Sequence, residues 1–142
     1  MDNTFHLVIL TPYTRYLDSE VSFIEVRNDK YSYGITKGHT PMVTTVSISK
    51  LRIRFAANEE YVYAVGGGMM NIEKDKVTLV LNSIERSDEI DIERALASKK
   101  RAEDRLANIK ERPDYDRARI EASLSRALVR LDISQGMKWY IP

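Results

Sequence analysis

The hydrophobic period of this chain changes once, at Ile90-Asp91-Ile92-Glu93-Arg94-Ala95. That change restricts it to a strand-built unit followed by a helix-built one. Before it, short alternating runs rich in β-branched and aromatic residues occupy 5–10, 21–26, 51–55, 61–65 and 77–81, the pattern of half-buried strands. Thr11-Pro12, Asn28-Asp29, Gly38 to Pro41, Ala57-Asn58 and Lys74-Asp75 punctuate them as turns,. Such closely spaced strands predict an antiparallel β-sandwich over residues 1–86, with no segment left for βαβ crossovers.

After Asp91 the period is helical. Ile92, Ala95, Leu96, Ala102, Leu106 and Ile109 fall on or near one face, and Ile120, Leu124, Leu128 and Leu131 form a second stripe,. Asp91 is placed to accept backbone N–H groups as an N-cap. Pro113, within Lys110-Glu111-Arg112-Pro113-Asp114, disfavours helical geometry at Arg112 and predicts a turn. The expected fold class is therefore α+β, a sandwich followed by an antiparallel helical hairpin over 90–134. Gly136 is expected to end the second helix. Residues 135–142 then form a tail whose Trp139, Tyr140 and Ile141 fray, pack back on the sandwich or touch a partner. A hairpin this short needs the sandwich or another protein to cover its apolar stripes, which suits a movable element hinged at Ser87-Asp88-Glu89.

Composition removes most function classes. With no cysteine and two histidines, thiolate chemistry, disulfides and histidine-rich zinc sites are excluded. Gly66-Gly67-Gly68 lacks the lysine and hydroxyl of a phosphate-binding P-loop and predicts a bulge or a tight backbone approach between strands. The start at Met1-Asp2-Asn3-Thr4 shows no basic segment ahead of a long apolar stretch, and the longest apolar runs, such as Leu7-Val8-Ile9-Leu10, are far too short for a bilayer span,. No direct membrane insertion is expected. A net charge of +1 argues against a nucleic-acid binder,.

The basic character is local. Residues 91–132 carry 11 Lys/Arg, eight of them arginine, against 9 Asp/Glu. Arg94, Arg101 and Arg105 follow steps of seven and four along one helix face, and Arg126 and Arg130 stand four apart on the next helix,. Folded together, these faces can converge on phosphate oxygens, which guanidinium forks match. The alternative is a solvated charged surface or a docking face for acidic protein segments.

Two motifs carry a family resemblance. Gly34, Ile35, Gly38, His39 and Pro41 fit Gly-Ile-x-x-Gly-His-x-Pro, and Ile90, Asp91, Arg94 and Ala95 fit Ile/Leu-Asp-x-x-Arg-Ala. With the glycine run between them, nearly the whole chain resembles the epsilon subunit of bacterial F-type ATP synthases. The resemblance implies a non-catalytic subunit of the rotor stalk whose sandwich binds the gamma subunit and the c-ring. Asp29, Gly34, Ile35, Gly38, His39 and Pro41 would lie at that interface, where the family's acidic, glycine-rich loop is altered to Asp29-Lys30-Tyr31-Ser32-Tyr33. It further implies that the hairpin permits rotation when folded on the sandwich. Extended along gamma toward the alpha and beta subunits, it would inhibit ATP hydrolysis.

ATP, with or without magnesium, is the implied regulatory ligand, and no cofactor is required. Glu85, Ile90, Asp91, Arg94, Ala95, Arg101, Arg126 and Arg130 are its implied contacts. The implied location is peripheral, on the cytoplasmic face of the bacterial plasma membrane. The rival readings are a free-standing nucleotide sensor and a structural adaptor that grips another coiled coil.

Overall fold

The computed structural model describes residues 3–139. Among them seven strands form the first unit: β1 (Phe5–Leu10), β2 (Arg15–Arg27), β3 (Ser32–Ile35), β4 (Met42–Phe55), β5 (Glu60–Ile72), β6 (Lys76–Leu81) and β7 (Ile84–Arg86). The hydrogen-bonded order is β1-β6-β5-β4-β2-β3, and β1 also pairs with β2. Strands β1, β6, β5, β4 and β2 thus close a ring, a flattened sandwich with few free edges to pair with other chains. β3 extends from β2 and β7 from β5. All pairings are antiparallel, as expected, except β1 with β6, which is parallel in the register His6↔Lys76 to Leu10↔Val80. The path between these two strands runs through the rest of the sandwich and needs no helical crossover.

The long strands serve both layers by changing which alternate positions face inward. In β2 the buried residues are Val21, then Ile24 and Val26, and the change coincides with a register shift between Val21 and Phe23,. β4 buries Val46, then Leu51 and Ile53. β5 buries Tyr63 and Val65, then Met70 and Ile72. The change in β5 falls on Gly66-Gly67-Gly68, which lie inside the strand. Gly67 has φ +91, and a Cβ on Gly68 would overlap the Val80 carbonyl oxygen. The glycine run is therefore a tight backbone approach. No bulge is needed, because β6 and β7 continue one register along β5, from Gly68↔Leu81 to Val65↔Ile84. The break at Asn82 and Ser83 is bridged by Gly66 N to Ser83 O (2.9 Å) and Asn82 N to Gly67 O (2.8 Å). The enclosed core includes Leu7, Ile9, Ile24, Leu51, Ile53 and Met70, each stabilising the fold by about 1.5–3 kcal/mol relative to exposure.

A 3₁₀ turn at Ser87–Glu89 leads to α1 (Ile92–Ala107). Asp91 caps it, its Oδ1 accepting from Arg94 N at 3.1 Å. A second 3₁₀ turn (Ile109–Glu111) and the Pro113 turn precede α2 (Arg117–Trp139). The residues buried along the hairpin include Ala95 and Ala102 on α1 and Ile120, Ala127, Leu131 and Ile133 on α2. The alanines among them let helices pack closely, and of the expected stripes Ile120 and Leu131 are buried. Leu96 and Leu128, expected in the apolar stripes, are exposed at 49% and 45%.

Helix α2 lies on β4 and β5, and among the described residues the main packing partner of α1 is α2, not the strands. Gly136 does not end α2, which runs on to Trp139. A helical glycine costs only about 1 kcal/mol relative to alanine, too little to stop a helix whose neighbouring residues continue it. The expected tail at 135–142 is thus helical as far as Trp139. The expectations for the Trp139 side chain, Tyr140 and Ile141 lie outside the described residues.

Gly68→Ala should lower stability by about 2–4 kcal/mol in urea denaturation, because the overlapped partner is backbone and cannot turn aside. An unchanged midpoint would show that β5 and β6 can separate there without loss.

Candidate functional site

A cleft of about 530 Å³ opens between α1 and α2, a size common for small-molecule sites. Its walls follow from a repeated spacing. Arg94-Ser98-Arg101-Arg105 and Arg119-Ser123-Arg126-Arg130 both step by four, three and four residues, so each set lies along one helix face. Ser98, Arg101 and Arg105 line one wall, and Arg119, Arg126 and Arg130 line the other. The serines steady the arginines: Arg101 donates to Ser98 Oγ and Arg126 to Ser123 Oγ, each at 3.1 Å.

The cleft holds little negative charge to balance its guanidiniums. Among the described residues, no carboxylate lies within 4 Å of the side-chain nitrogens of Arg101, Arg105, Arg119 or Arg126. Asp114 and Asp116 stand at the turn end, but both are engaged. Asp114 pairs with Arg112 at 3.2 Å, which holds its carboxyl below the usual carboxylate range. Asp116 Oδ1 accepts from the backbone N–H of Arg119 at 3.3 Å. The exception lies toward the sandwich, where Glu85 of β7 accepts from Arg130 Nε at 2.5 Å. Several forked donors facing one space without counter-charge suit an anion with several oxygens.

The structure brings Arg101, Arg126, Arg130 and Glu85 together at this cleft. Ile90, Asp91, Arg94 and Ala95 lie toward the link to the sandwich and are not on its wall. Asp91 is the helix cap, Arg94 is exposed one turn beyond Ser98, Ala95 is buried and Ile90 is half-buried. Arg105, Arg119, Ser98, Ser123 and Tyr115 also line the cleft, although the implied contact set does not include them. The repeated four-three-four spacing was the signal for the arginines and serines among them.

The other predicted residues lie on β3 and on the turn and loop that flank it. Asp29 is exposed in the β2–β3 turn, where Asn28 Oδ1 accepts from the backbone N–H groups of Lys30 and Tyr31 at 2.9 and 2.8 Å,. Asn28 also ties this turn to Thr44 of β4 at 3.0 Å. Gly34 passes against the Phe23 ring. Ile35 is a core side chain, 1% exposed, so it anchors β3 and offers no surface of its own. Gly38, His39 and Pro41 form the β3–β4 loop, which borders the β5–β6 turn at Glu73 and Lys74. His39 N donates to Thr36 O at 3.3 Å.

The link between the sandwich and α1 is short and held. Arg86 pairs with Asp88 at 2.6 Å, and its guanidinium lies 4.6 Å from the Tyr61 ring centroid. The pairing holds the Asp88 carboxyl below its usual range. Glu89 accepts from Arg86 N at 3.2 Å and from the Tyr16 hydroxyl at 3.4 Å.

Comparison with known proteins gives concordant matches. The ATP synthase, Delta/Epsilon chain, beta-sandwich domain matches residues 4–87, and the long alpha-helix domain of the same chain type matches 88–135. The ATP synthase epsilon chain of Bacillus licheniformis is 39% identical over 132 residues, covering 93% of this chain and 98% of that protein. That of Caldanaerobacter subterraneus subsp. tengcongensis is 38% identical over 135 residues, covering 94% and 96%. Among solved structures, a chain of the Euglena gracilis mitochondrial ATP synthase OSCP/F1/c-ring assembly superposes with a TM-score of 0.68 at 17% identity. That match covers 100% of this chain and 84% of the other. At that identity the likeness is one of fold.

Glu85→Gln removes the charge that ties Arg130 to the sandwich. The expected result is faster amide hydrogen exchange in α2 than in the β-strands, equivalent to less than about 1 kcal/mol because the pair is partly exposed. Identical exchange in the variant would show that apolar packing alone docks the hairpin.

Proposed function

This chain belongs to the ATP synthase delta/epsilon family, as an epsilon-type, non-catalytic subunit of the synthase, and from that membership we propose that it links the rotor stalk to the c-ring and regulates ATP hydrolysis. The gamma subunit is its partner on the sheet face. There Val43, Met69 and Val80 are exposed on the adjacent strands β4, β5 and β6, with Met69 directly opposite Val80. An apolar strip of this kind on a polar surface favours a protein contact. The c-ring takes the end formed by Asp29 and the Gly38-His39-Pro41 loop. The protein then sits peripherally at the cytoplasmic face of the membrane, and no described helix is long and apolar enough to cross it.

The hairpin is the regulatory part. In the folded arrangement it rests on the sandwich through α2 and the Glu85–Arg130 pair. Extended along gamma, it reaches the alpha and beta subunits and inhibits hydrolysis. ATP, with or without magnesium, occupies the cleft between the folded helices and favours that state in proportion to its preference for it. The observation that carries this reading is the arginine-lined cleft with its few counter-charges.

Calorimetric titration of the full chain with ATP tests the ligand. Binding is expected, and Arg126→Ala should weaken it about tenfold, the worth of one charge-assisted hydrogen bond. Absence of binding in the wild type removes ATP from the regulatory scheme and leaves the rotor role standing.

Removing residues 88–142 tests the division of labour. The sandwich core lies wholly upstream, so the truncated chain should still join gamma and support ATP synthesis while hydrolysis is altered. A truncated chain that no longer binds gamma would refute the assignment of that partner to the sandwich.

A further inference from the structure

The proposed contact between the sandwich and the c-ring, on which this inference rests, includes the turn between β2 and β3. In place of the family's acidic, glycine-rich loop stand Asp29, Lys30, Tyr31, Ser32 and Tyr33, so a run of carboxylates is not what makes the contact. Asp29 and Lys30 are exposed, and among the described residues neither is paired with an opposite charge. Adjacent charges of opposite sign cancel at a distance, which leaves charge little part in the attraction.

The turn itself is built for order. Asn28 uses both ends of its amide: Oδ1 accepts from the backbone N–H groups of Lys30 and Tyr31 at 2.9 and 2.8 Å, and Nδ2 donates to Thr44 Oγ1 at 3.0 Å and to the Tyr33 hydroxyl at 3.4 Å. The backbone closes the same turn, Asn28 N donating to Tyr31 O at 2.9 Å. Tyr31 is nevertheless 62% exposed, and its ring rests edge-on against Tyr33 with centroids 6.1 Å apart. An aromatic ring that is exposed but already oriented has little entropy left to lose on binding, and interface energy concentrates on such side chains.

We propose that Tyr31 anchors the c-ring contact of this chain, its ring held ready by Asn28 and seated in an apolar recess of the facing loops, with Asp29 and Lys30 as a charged rim. A contact of this kind is nearly independent of salt. An exposed rim pair contributes only about 0.2–1 kcal/mol, whereas losing an anchoring ring costs about 2 kcal/mol or more.

The test uses the complex of the full chain with gamma, titrated onto purified c-ring. Wild-type affinity is expected to fall less than about threefold between about 50 and about 500 mM KCl. Tyr31→Ala should weaken binding about tenfold or more, and Tyr31→Phe, which keeps the ring, should restore most of the loss. Asp29→Asn and Lys30→Gln should each change it about threefold or less. Asn28→Ala should weaken the wild type but add nothing to Tyr31→Ala, because it acts by orienting that ring. Matching circular dichroism spectra establish that the variants are folded. Wild-type affinity for Tyr31→Ala, a larger loss from either charge variant, a steep salt dependence, or additive losses for Asn28→Ala and Tyr31→Ala would each overturn the anchor while the c-ring contact stands. A wild-type complex that does not bind the c-ring overturns the anchor together with the c-ring reading.

Discussion

Because Gly68 carries no side chain, β5 can bring its backbone against the Val80 carbonyl of β6, and the two strands stay in one register while β5 turns its other side inward. Tyr63 and Val65 fill one layer, Met70 and Ile72 the other. The consequence extends beyond the core. The same register continues into β7, which places Glu85 against Arg130 of the hairpin and Arg86 at the start of the link to α1. A side chain at Gly68 would force β5 and β6 apart and disturb both the sandwich and the point from which the helices depart.

The hairpin is held differently. Ala95, Ala102 and Ala127 contribute little apolar area each, and the larger buried side chains, Ile120, Leu131 and Ile133, all lie on α2,. Only α2 rests substantially on the strands, and the one ion pair between hairpin and sandwich among the described residues is partly exposed. A contact of this kind contributes a small part of the total stability. The core of the sandwich lies wholly upstream of the hairpin, and the proposed regulation requires that a second surface of comparable area compete for the helices. Leu96 and Leu128, exposed in the folded arrangement, add to the apolar area available to such a surface.

Electrostatics couples the cleft to this balance. Arg101, Arg105, Arg119, Arg126 and Arg130 share one space, and of these Arg130 alone has a carboxylate partner among the described residues. Like charges facing each other across a helix pair oppose its closure, so the cleft is least favourable when empty. In the proposed function, an anion there would relieve the repulsion only while both walls are in place, which is the differential affinity that a population shift requires.

Local rules made much of this legible in the sequence. Alternation marked the core segments of five strands, Asp91 announced the helix start and Pro113 the turn, and the Gly34 to Pro41 and Ile90 to Ala95 motifs pointed to the family. Each of these depends on residues a few positions apart, where backbone sterics and hydrogen bonding act directly. The parallel pairing of β1 with β6 joins segments some seventy residues apart and could be read only from the folded chain. The composition of the cleft wall is a similar case. Arg94 and Arg105 lie on the same stripe of α1, yet Arg105 lines the cleft and Arg94 does not. How far the cleft extends along that stripe is decided by the meeting of two helices around Ala95, Ala102 and Ala127. Periodicity places a residue on a face of its own helix, whereas the rotation and spacing of one helix against another come from packing between segments distant in sequence.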